Sequence, residues 1–165
     1  SESGTTCAPV PGNTQTTPKR KEETMASQQL LDGLNEQMNR EVTTFLRYMV
    51  QSAQIRGEQH ERVREMYATE VQDEVGHAQY LAEQIVTLGG RPSLKPDLTP
   101  PPRAVEGMLE ADAAQEKEDV INYSRLAEQA GGEGYMALKL QMEEQAADEE
   151  RHGQLMCRYL GRDWS

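Results

Sequence analysis

The sequence predicts an all-α protein, a bundle of four long helices with one extended crossover between the second and third. Three observations lead to this prediction. Only 5% of the 165 residues are aromatic, whereas Glu, Gln, Ala, Leu and Met, all good helix formers, are frequent. Apolar residues recur at steps of three and four, as on one face of a helix. Glycines then end each amphipathic stretch.

The N-terminal 25 residues differ from the rest, because Pro, Thr, Ser and Gly dominate them and apolar side chains are few. Burial cannot offset the entropy that such a segment would lose on ordering. We therefore predict a flexible tail over residues 1–25 and a single bundle domain over residues 26–165. The basic cluster Lys19, Arg20 and Lys21 could contact DNA, but a solvated charge run is the more common case.

Four helical stretches follow the tail, at roughly 26–55, 58–88, 103–130 and 134–160. Glycine marks the end of each, at Gly57, Gly89 with Gly90, Gly131 with Gly132, and Gly161. The first and last breaks between helices are short, so they predict two antiparallel helical hairpins.

The crossover between the hairpins contains RPSLKPDLTPPP, whose five prolines exclude a helix and favour an extended chain. Fourteen extended residues, 89–102, reach about 46 Å at roughly 3.3 Å each. A 28-residue helix is about 42 Å long. The crossover can therefore span the full length of the bundle.

Each predicted helix carries a carboxylate inside its apolar stripe. The stripes comprise Leu31, Leu34, Met38, Glu41, Phe45 and Tyr48; then Val63, Tyr67, Glu70, Glu74, His77 and Leu81; then Leu109, Asp112, Glu116, Val120 and Tyr123; and finally Tyr135, Leu138, Met142, Gln145, Glu149, His152, Met156 and Tyr159. An unpaired buried carboxylate is costly. We therefore expect each one to be protonated, paired or bound to a cation.

The two halves of the chain repeat with an offset of 75 residues. This offset relates the pairs Glu41 and Glu116, Tyr48 and Tyr123, Asp73 and Asp148, Glu74 and Glu149, and His77 and His152. Each hairpin thus supplies one Glu from its first helix and a Glu-x-x-His from its second. A single Glu-x-x-His is commonly a surface coincidence, whereas this repeated arrangement is not.

Residues i and i+3 point to the same side of a helix, so one Glu and one His can grip the same metal ion. The four glutamates lie near the middle of their helices and should meet at one level. The sequence therefore predicts a metal site of charge −4 formed by Glu41, Glu74, His77, Glu116, Glu149 and His152. Oxygen and nitrogen ligands of this kind suit two divalent ions, with iron the first choice, manganese the second and zinc less suitable.

The sequence leaves two possible roles for each of the other residue pairs of the repeat. Tyr48 and Tyr123 are either core aromatics or donors of a hydrogen bond, or an electron, to the site. Asp73 and Asp148 either support the histidines or are merely exposed.

Charge and composition exclude several classes of protein. The formal charge of −11 repels nucleic acid, so DNA is an improbable partner. No apolar run is long enough for a membrane span or a secretory signal, which predicts a cytoplasmic protein. Cys7 and Cys157 are too few and too far apart for a disulfide framework or a thiolate zinc site.

From residue 28 to residue 160 the chain resembles the bacterioferritins. The resemblance rests on LNEQMNREVTTFLRY, DEVGHAQYLAEQIVTLGGRPSL, AQEKEDVINY and DEERH. It implies a ferritin-like fold with a ferroxidase centre, in which Glu74 and Glu149 bridge two iron ions. In the same resemblance Glu41 with His77 and Glu116 with His152 complete the two sides, and Tyr48 matches a tyrosine beside the centre.

Two departures from this family change the prediction. Val75 stands where bacterioferritins have the haem-binding Met, so we predict no haem. The chain ends at Ser165 without the short fifth helix of the 24-subunit cages, which favours a shell of 12 subunits. The sequence is therefore similar to a Dps-like mini-ferritin that carries a bacterioferritin-type site within each subunit.

The leading functional hypothesis is iron storage and detoxification. Ferrous iron would be oxidised at the paired site by peroxide or oxygen, and ferric mineral would collect inside a hollow homo-oligomeric shell. The alternative is a non-storing di-metal redox enzyme, such as a rubrerythrin-like peroxidase or a relative of manganese catalase. The sequence lacks the Cys-x-x-Cys pair of rubredoxin-type domains and is short for a catalase, which disfavours that alternative.

Overall fold

The computed structural model of the protein describes residues 25–165 and contains four long helices in this range. They are α1 (Gln28–Gln54), α2 (Glu61–Thr87), α3 (Val105–Gly132) and α4 (Met136–Leu160). No strand occurs in the described range, so the all-α four-helix prediction is confirmed. The predicted flexible tail lies outside the described residues apart from Met25, as do Cys7 and the basic cluster at residues 19–21.

The helices form two hairpins, α1 with α2 and α3 with α4, and the hairpins meet through α1 against α3 and α2 against α4. Gly57, with φ 97°, reverses the chain after α1. A 3₁₀ turn over Glu58–His60 then precedes α2, where the sequence predicted α-helix from residue 58. Such tight turns are frequent at helix starts, and they are not distinguished from α-helix by apolar spacing.

The predicted end of the third helix at Gly131 and Gly132 is wrong, because α3 includes both residues. The reversal occurs at Gly134, which has φ 88°. A glycine ends a helix by adopting a positive φ, and a glycine that keeps helical angles leaves the helix intact.

The crossover runs beside α1 and is held to it by a regular series of hydrogen bonds. We call residues 91–98 the strap. Asn35 donates to the Arg91 carbonyl and accepts from the Ser93 amide at 3.3 and 2.8 Å. Asn39 donates to the Ser93 carbonyl at 2.8 Å and accepts from the Lys95 amide at 2.5 Å.

Thr43 continues the series by accepting from the Asp97 amide at 2.9 Å. The periods match, since four helical residues rise about 6 Å and two extended residues advance about 6.6 Å. Pro92 and Pro96, which lack an N–H, occupy the alternate positions where no donor is needed. The strap thus runs parallel to α1 in a fixed register and delivers the chain to the start of α3.

Two apolar clusters fill the opposite ends of the bundle. One contains Leu30, Leu34, Leu81, Ile85, Tyr123, Leu126, Leu138 and Met142, and the other contains Tyr48, Tyr67, Met108, Leu109 and Met156. Buried polar residues, including four glutamates and two histidines, separate these clusters at mid-height. The fold therefore places a polar layer in a dry interior.

The C-terminal segment folds back onto α3 and α4 through the half-buried Trp164, the single tryptophan of the chain. Lys117 Nζ lies 5.0 Å from the centre of the Trp164 ring. The ring also covers Gly153, where an added Cβ would lie 2.2 Å from a ring carbon. Glycine at this position therefore permits the close contact.

We expect Gly153→Ala to expel the Trp164 ring, with a red shift of its fluorescence and a loss of about 1 to 3 kcal/mol from overpacking. Gly76→Ala is the matched control, because no atom lies within 4 Å of its added Cβ. That control should gain about 1 kcal/mol from helix propensity and keep the wild-type emission. Emission unchanged in the Gly153 variant would contradict the packing.

No helix among residues 25–165 is long and apolar enough to cross a membrane.

Candidate metal centre

The six predicted ligands converge in the polar layer. Glu41 comes from α1, Glu74 and His77 from α2, Glu116 from α3, and Glu149 and His152 from α4. Each glutamate is 1% exposed and each histidine is 8% exposed. A Glu and a His three residues apart share one face of α2 and of α4, as the repeat predicts. The structure therefore brings together all six side chains.

The six side chains form two overlapping groups, in each of which the potential ligand atoms lie within 4.8 Å of one another. One group contains Glu41, Glu74, His77 and Glu149, and the other contains Glu74, Glu116, Glu149 and His152. Glu74 and Glu149 belong to both. Each group could hold one cation, and the shared glutamates are positioned to bridge the two.

Both imidazoles direct Nδ1 towards the shared glutamates. His152 Nδ1 lies 3.2 Å from Glu74 Oε1 and 3.1 Å from Glu149 Oε2, and His77 Nδ1 lies 2.8 Å from Glu149 Oε1. The Nε2 atoms face outwards, towards other carboxylates. Nδ1 is therefore the ring nitrogen that each histidine presents to the shared glutamates.

The donor set fits a pair of divalent cations. Glu74 Oε1 lies 3.2 Å from His152 Nδ1, and Glu149 Oε1 lies 2.8 Å from His77 Nδ1. Four buried carboxylates face only two imidazoles, so the dry site carries an excess of negative charge that divalent cations would neutralise. Carboxylate oxygen and imidazole nitrogen suit iron, manganese and related divalent ions.

Burial dominates the acid–base properties of three glutamates. It raises the pKa of Glu41 to about 7, with a further contribution from the charge of Glu149. Burial followed by the charge of Glu149 also raises the pKa of Glu74 and Glu116 well above the ordinary value. Without a cation, these carboxyls resist ionisation because charges repel one another in a dry site.

Glu149 behaves in the opposite way. Burial opposes its ionisation, but the close contacts and charges of His152 and His77 outweigh that effect and lower its pKa to about 2. Burial disfavours the charged form of His77, yet contact with Glu149 and the nearby carboxylates raises its pKa to about 9. The pKa of His152 is also raised, since Glu149, Glu70 and Glu74 outweigh its burial. Protonated imidazoles thus counter part of the glutamate charge.

The two tyrosines of the repeat are fully buried and support the opposite half of the site. Tyr48 on α1 donates its hydroxyl hydrogen to Glu116 Oε1. Tyr123 on α3 donates to Glu41 Oε1 at 2.5 Å. Each tyrosine therefore hydrogen-bonds a glutamate of the polar layer, which is one of the two roles that the sequence left open.

Arginine–aspartate pairs link α1 and α3 above and below the site. Arg40 Nε lies 2.5 Å from Asp119 Oδ1, and Arg47 lies 2.6 Å from Asp112 Oδ1. Gln37 connects the first pair to the site by donating to Asp119 at 2.8 Å and to Glu41 at 2.7 Å.

Neither arginine is among the residues that the sequence motifs predict for the site. A usable signal existed, because Arg40 and Arg47 are seven residues apart on α1 and so are Asp112 and Asp119 on the antiparallel α3. Equal spacing on facing helices allows two parallel ion pairs.

Carboxylates also lie behind the histidines. His152 Nε2 is 2.7 Å from Glu70 Oε2 and 4.0 Å from Asp73 Oδ2. His77 Nε2 is 3.5 Å from Asp148 Oδ2. Each aspartate of the repeat thus lies nearest the histidine of the opposite half.

The matches to known proteins agree with this geometry. The Ferritin family model, described as a ferritin-like domain, matches residues 31–163. The chain belongs to the ferritin-like family. No curated protein matches it significantly.

Solved structures of ferritin-like proteins share this fold. A ferritin-like, diiron-carboxylate protein of Bacillus anthracis is 33% identical, with a TM-score of 0.77 over 80% of this chain and 95% of that one. The bacterioferritin BfrA of Mycobacterium tuberculosis is 22% identical, with a TM-score of 0.76 over 84% and 87%. A dodecameric thioferritin of Bacteroides fragilis is 20% identical, with a TM-score of 0.69 over 81% and 86%. The latter two similarities concern the fold alone.

Proposed function

We propose that this ferritin-like chain oxidises ferrous iron at the six-residue centre and stores the ferric product in a homo-oligomeric shell. The observation that carries the proposal is the pair of overlapping ligand groups that share Glu74 and Glu149. The similarity to a diiron-carboxylate protein of Bacillus anthracis supports iron as the metal.

In this proposal the two ferrous ions are substrates that bind between the four helices. Glu41 and His77 hold one ion, Glu116 and His152 hold the other, and Glu74 and Glu149 bridge them. Four carboxylates balance the charge of two divalent ions, which removes the repulsion that burial creates.

The residues around the centre keep this arrangement rigid during oxidation. Tyr48 and Tyr123 fix Glu116 and Glu41 by hydrogen bonds. The apolar clusters on either side exclude bulk water. Each ferrous ion loses one electron, so one pair of ions supplies the two electrons that convert hydrogen peroxide and two protons into two waters.

A shell of 12 subunits is the proposed container, in line with the dodecameric thioferritin of Bacteroides fragilis. Large apolar side chains on α1 and the strap also favour contacts between copies. Met49 is 50% exposed, and Leu94 and Leu98 are 75% and 74% exposed. A native mass of about 12 chains for the purified protein is the expected result, and a monomer or dimer would refute the shell.

The test adds ferrous iron without oxygen to the purified protein, followed by peroxide or oxygen in separate experiments. Rapid formation of ferric absorbance and retention of many iron ions per chain in a large particle are expected. A monomer or dimer that turns over peroxide but retains only two ions would instead support the non-storing enzyme. Absence of oxidation with either oxidant would refute both functions.

A further inference from the structure

The two halves of the centre share their ligands by repeat, but the residues behind the two histidines differ. Glu70, 75 residues before Gln145, has no carboxylate counterpart in the second half. Glu70 is 8% exposed, and its Oε2 lies 2.7 Å from His152 Nε2. Gln145, at the equivalent position of the second half, is 2% exposed. A buried carboxylate therefore supports His152, while the corresponding position for His77 is a neutral amide.

The partner that His77 does have is weaker. Its Nε2 lies 3.5 Å from Asp148 Oδ2, and the Asp148 side chain is 37% exposed. Asp148 is also paired with Arg151 on the same helix, so its charge is shared. The two histidines are equally buried, at 8% exposure each, but they are not equally supported.

Glu41 and Glu116, which each belong to only one of the two ligand groups, also differ in their hydrogen bonds. Glu41 Oε1 accepts two hydrogen bonds, from Gln37 at 2.7 Å and from Tyr123 at 2.5 Å. Glu116 Oε1 accepts one, from Tyr48. Asp112, the repeat counterpart of Gln37, is instead bound to an arginine, a tyrosine and a glutamine. Glu41 Oε1 thus accepts more hydrogen bonds than Glu116 Oε1 before any cation binds.

A carboxylate that accepts the outer N–H of a metal-binding histidine fixes its tautomer, orients the ring and makes the inner nitrogen a stronger donor. Loss of such a partner typically costs about 10- to 100-fold in metal affinity. The carboxylate behind His152 and the smaller number of hydrogen bonds to Glu116 both favour cation binding between Glu116 and His152.

We infer that the two cation positions are unequal, and that Glu70 acts as a positioning residue that makes the Glu116–His152 position fill first. This inference rests on the proposed paired site and adds an order of loading to it. Glu70 acts through the outer nitrogen of His152 rather than by touching the substrate ions.

The test titrates Co²⁺ into wild-type protein and the variants Glu70→Gln, Gln145→Glu and Glu65→Gln. Binding is followed by calorimetry and by visible absorption of the bound ion, so no iron oxidation is needed. Wild-type protein should bind two ions per chain in two resolved steps. Glu70→Gln should weaken the first step by about 10- to 100-fold and bring the two steps together.

Gln145→Glu should strengthen the second step and leave the first unchanged, because it supplies the missing carboxylate behind His77. Glu65→Gln makes the same chemical change as Glu70→Gln at an exposed position of α2 and should match wild type. If Glu70→Gln does not fold, Gln145→Glu alone decides.

Two equal binding steps in wild-type protein would overturn the inference, as would unchanged or uniformly weakened steps in Glu70→Gln. An unchanged second step in Gln145→Glu would overturn it as well. Failure of wild-type protein to bind two ions would refute the proposed paired site itself, which separates the two conclusions.

Discussion

Replacing Glu74 and Glu149 together by glutamine is expected to lower ferrous-ion oxidation by at least about 100-fold, beyond the usual effect of losing a residue that merely supports a ligand. These are the two residues that both cation groups share. Their loss halves the negative charge of the four glutamates and leaves neither group complete. Neutral amides are weaker ligands for divalent ions and cannot bridge them by charge.

The double variant should still fold, because glutamine keeps the volume of glutamate and removes charges that burial opposes. Stopped-flow oxidation and the circular dichroism spectrum measure the two effects separately. Glu150→Gln is the matched control, since Glu150 adjoins Glu149 on α4 but is exposed. Wild-type kinetics in the double variant would refute the site.

The second large expected effect is a loss of stability with rising pH in the cation-free protein, which bound cations oppose. In chelator-treated protein, the free energy of unfolding should fall as pH rises from 5 to 9. Glu41 has a pKa raised from 4.5 to about 7, so the folded state holds a proton that the unfolded state has lost. His77, raised from 6.5 to about 9, extends the same trend to higher pH. Each group contributes a slope of about 1.4 kcal/mol per pH unit within its own window.

The sign changes at low pH because of Glu149. Its pKa is lowered to about 2, so its contribution to stability is present above pH 4.5 and is lost as pH falls towards 2. The chelator-treated protein should therefore be most stable near pH 5.

Bound cations require ionised glutamates and a free Nδ1 on each histidine, so their stabilising effect should grow with pH. Urea unfolding at pH 5, 7 and 9, with and without Mn²⁺, measures this gap. We expect the two stability curves to diverge as pH rises. Parallel curves would show that the buried glutamates do not hold the ion.

The convergence of the six side chains was predictable because it depends only on helical periodicity and an internal repeat. Glu41 and Glu116 share an offset with the two Glu-x-x-His motifs, and antiparallel helices bring their midpoints to one level. Neither inference depends on the exact helix ends. The wrong end predicted for the third helix at Gly131 and Gly132 therefore did not affect the predicted positions of the six side chains. Assignment of these residues as metal ligands stays a proposal.

The supporting residues were harder to predict because they depend on which helices are neighbours. Glu70 was placed in an apolar stripe and expected to need a partner, but the stripe does not reveal that the partner is His152. The alignment of Asp148 with the opposite histidine likewise requires α2 to pack against α4. Packing of Trp164 on Gly153 depends on a C-terminal turn that has no periodic pattern.

The strap has a consequence for how this chain tolerates sequence change. Its inward hydrogen bonds use backbone groups of alternate residues, so an insertion of one residue would turn every later amide away from α1, whereas an insertion of two would preserve the alternation. Leu94 and Leu98 lie at the intervening positions and leave their side chains largely exposed. Substitutions at these outward positions would therefore change the surface of the strap while leaving its hydrogen bonds to α1 and the buried centre intact.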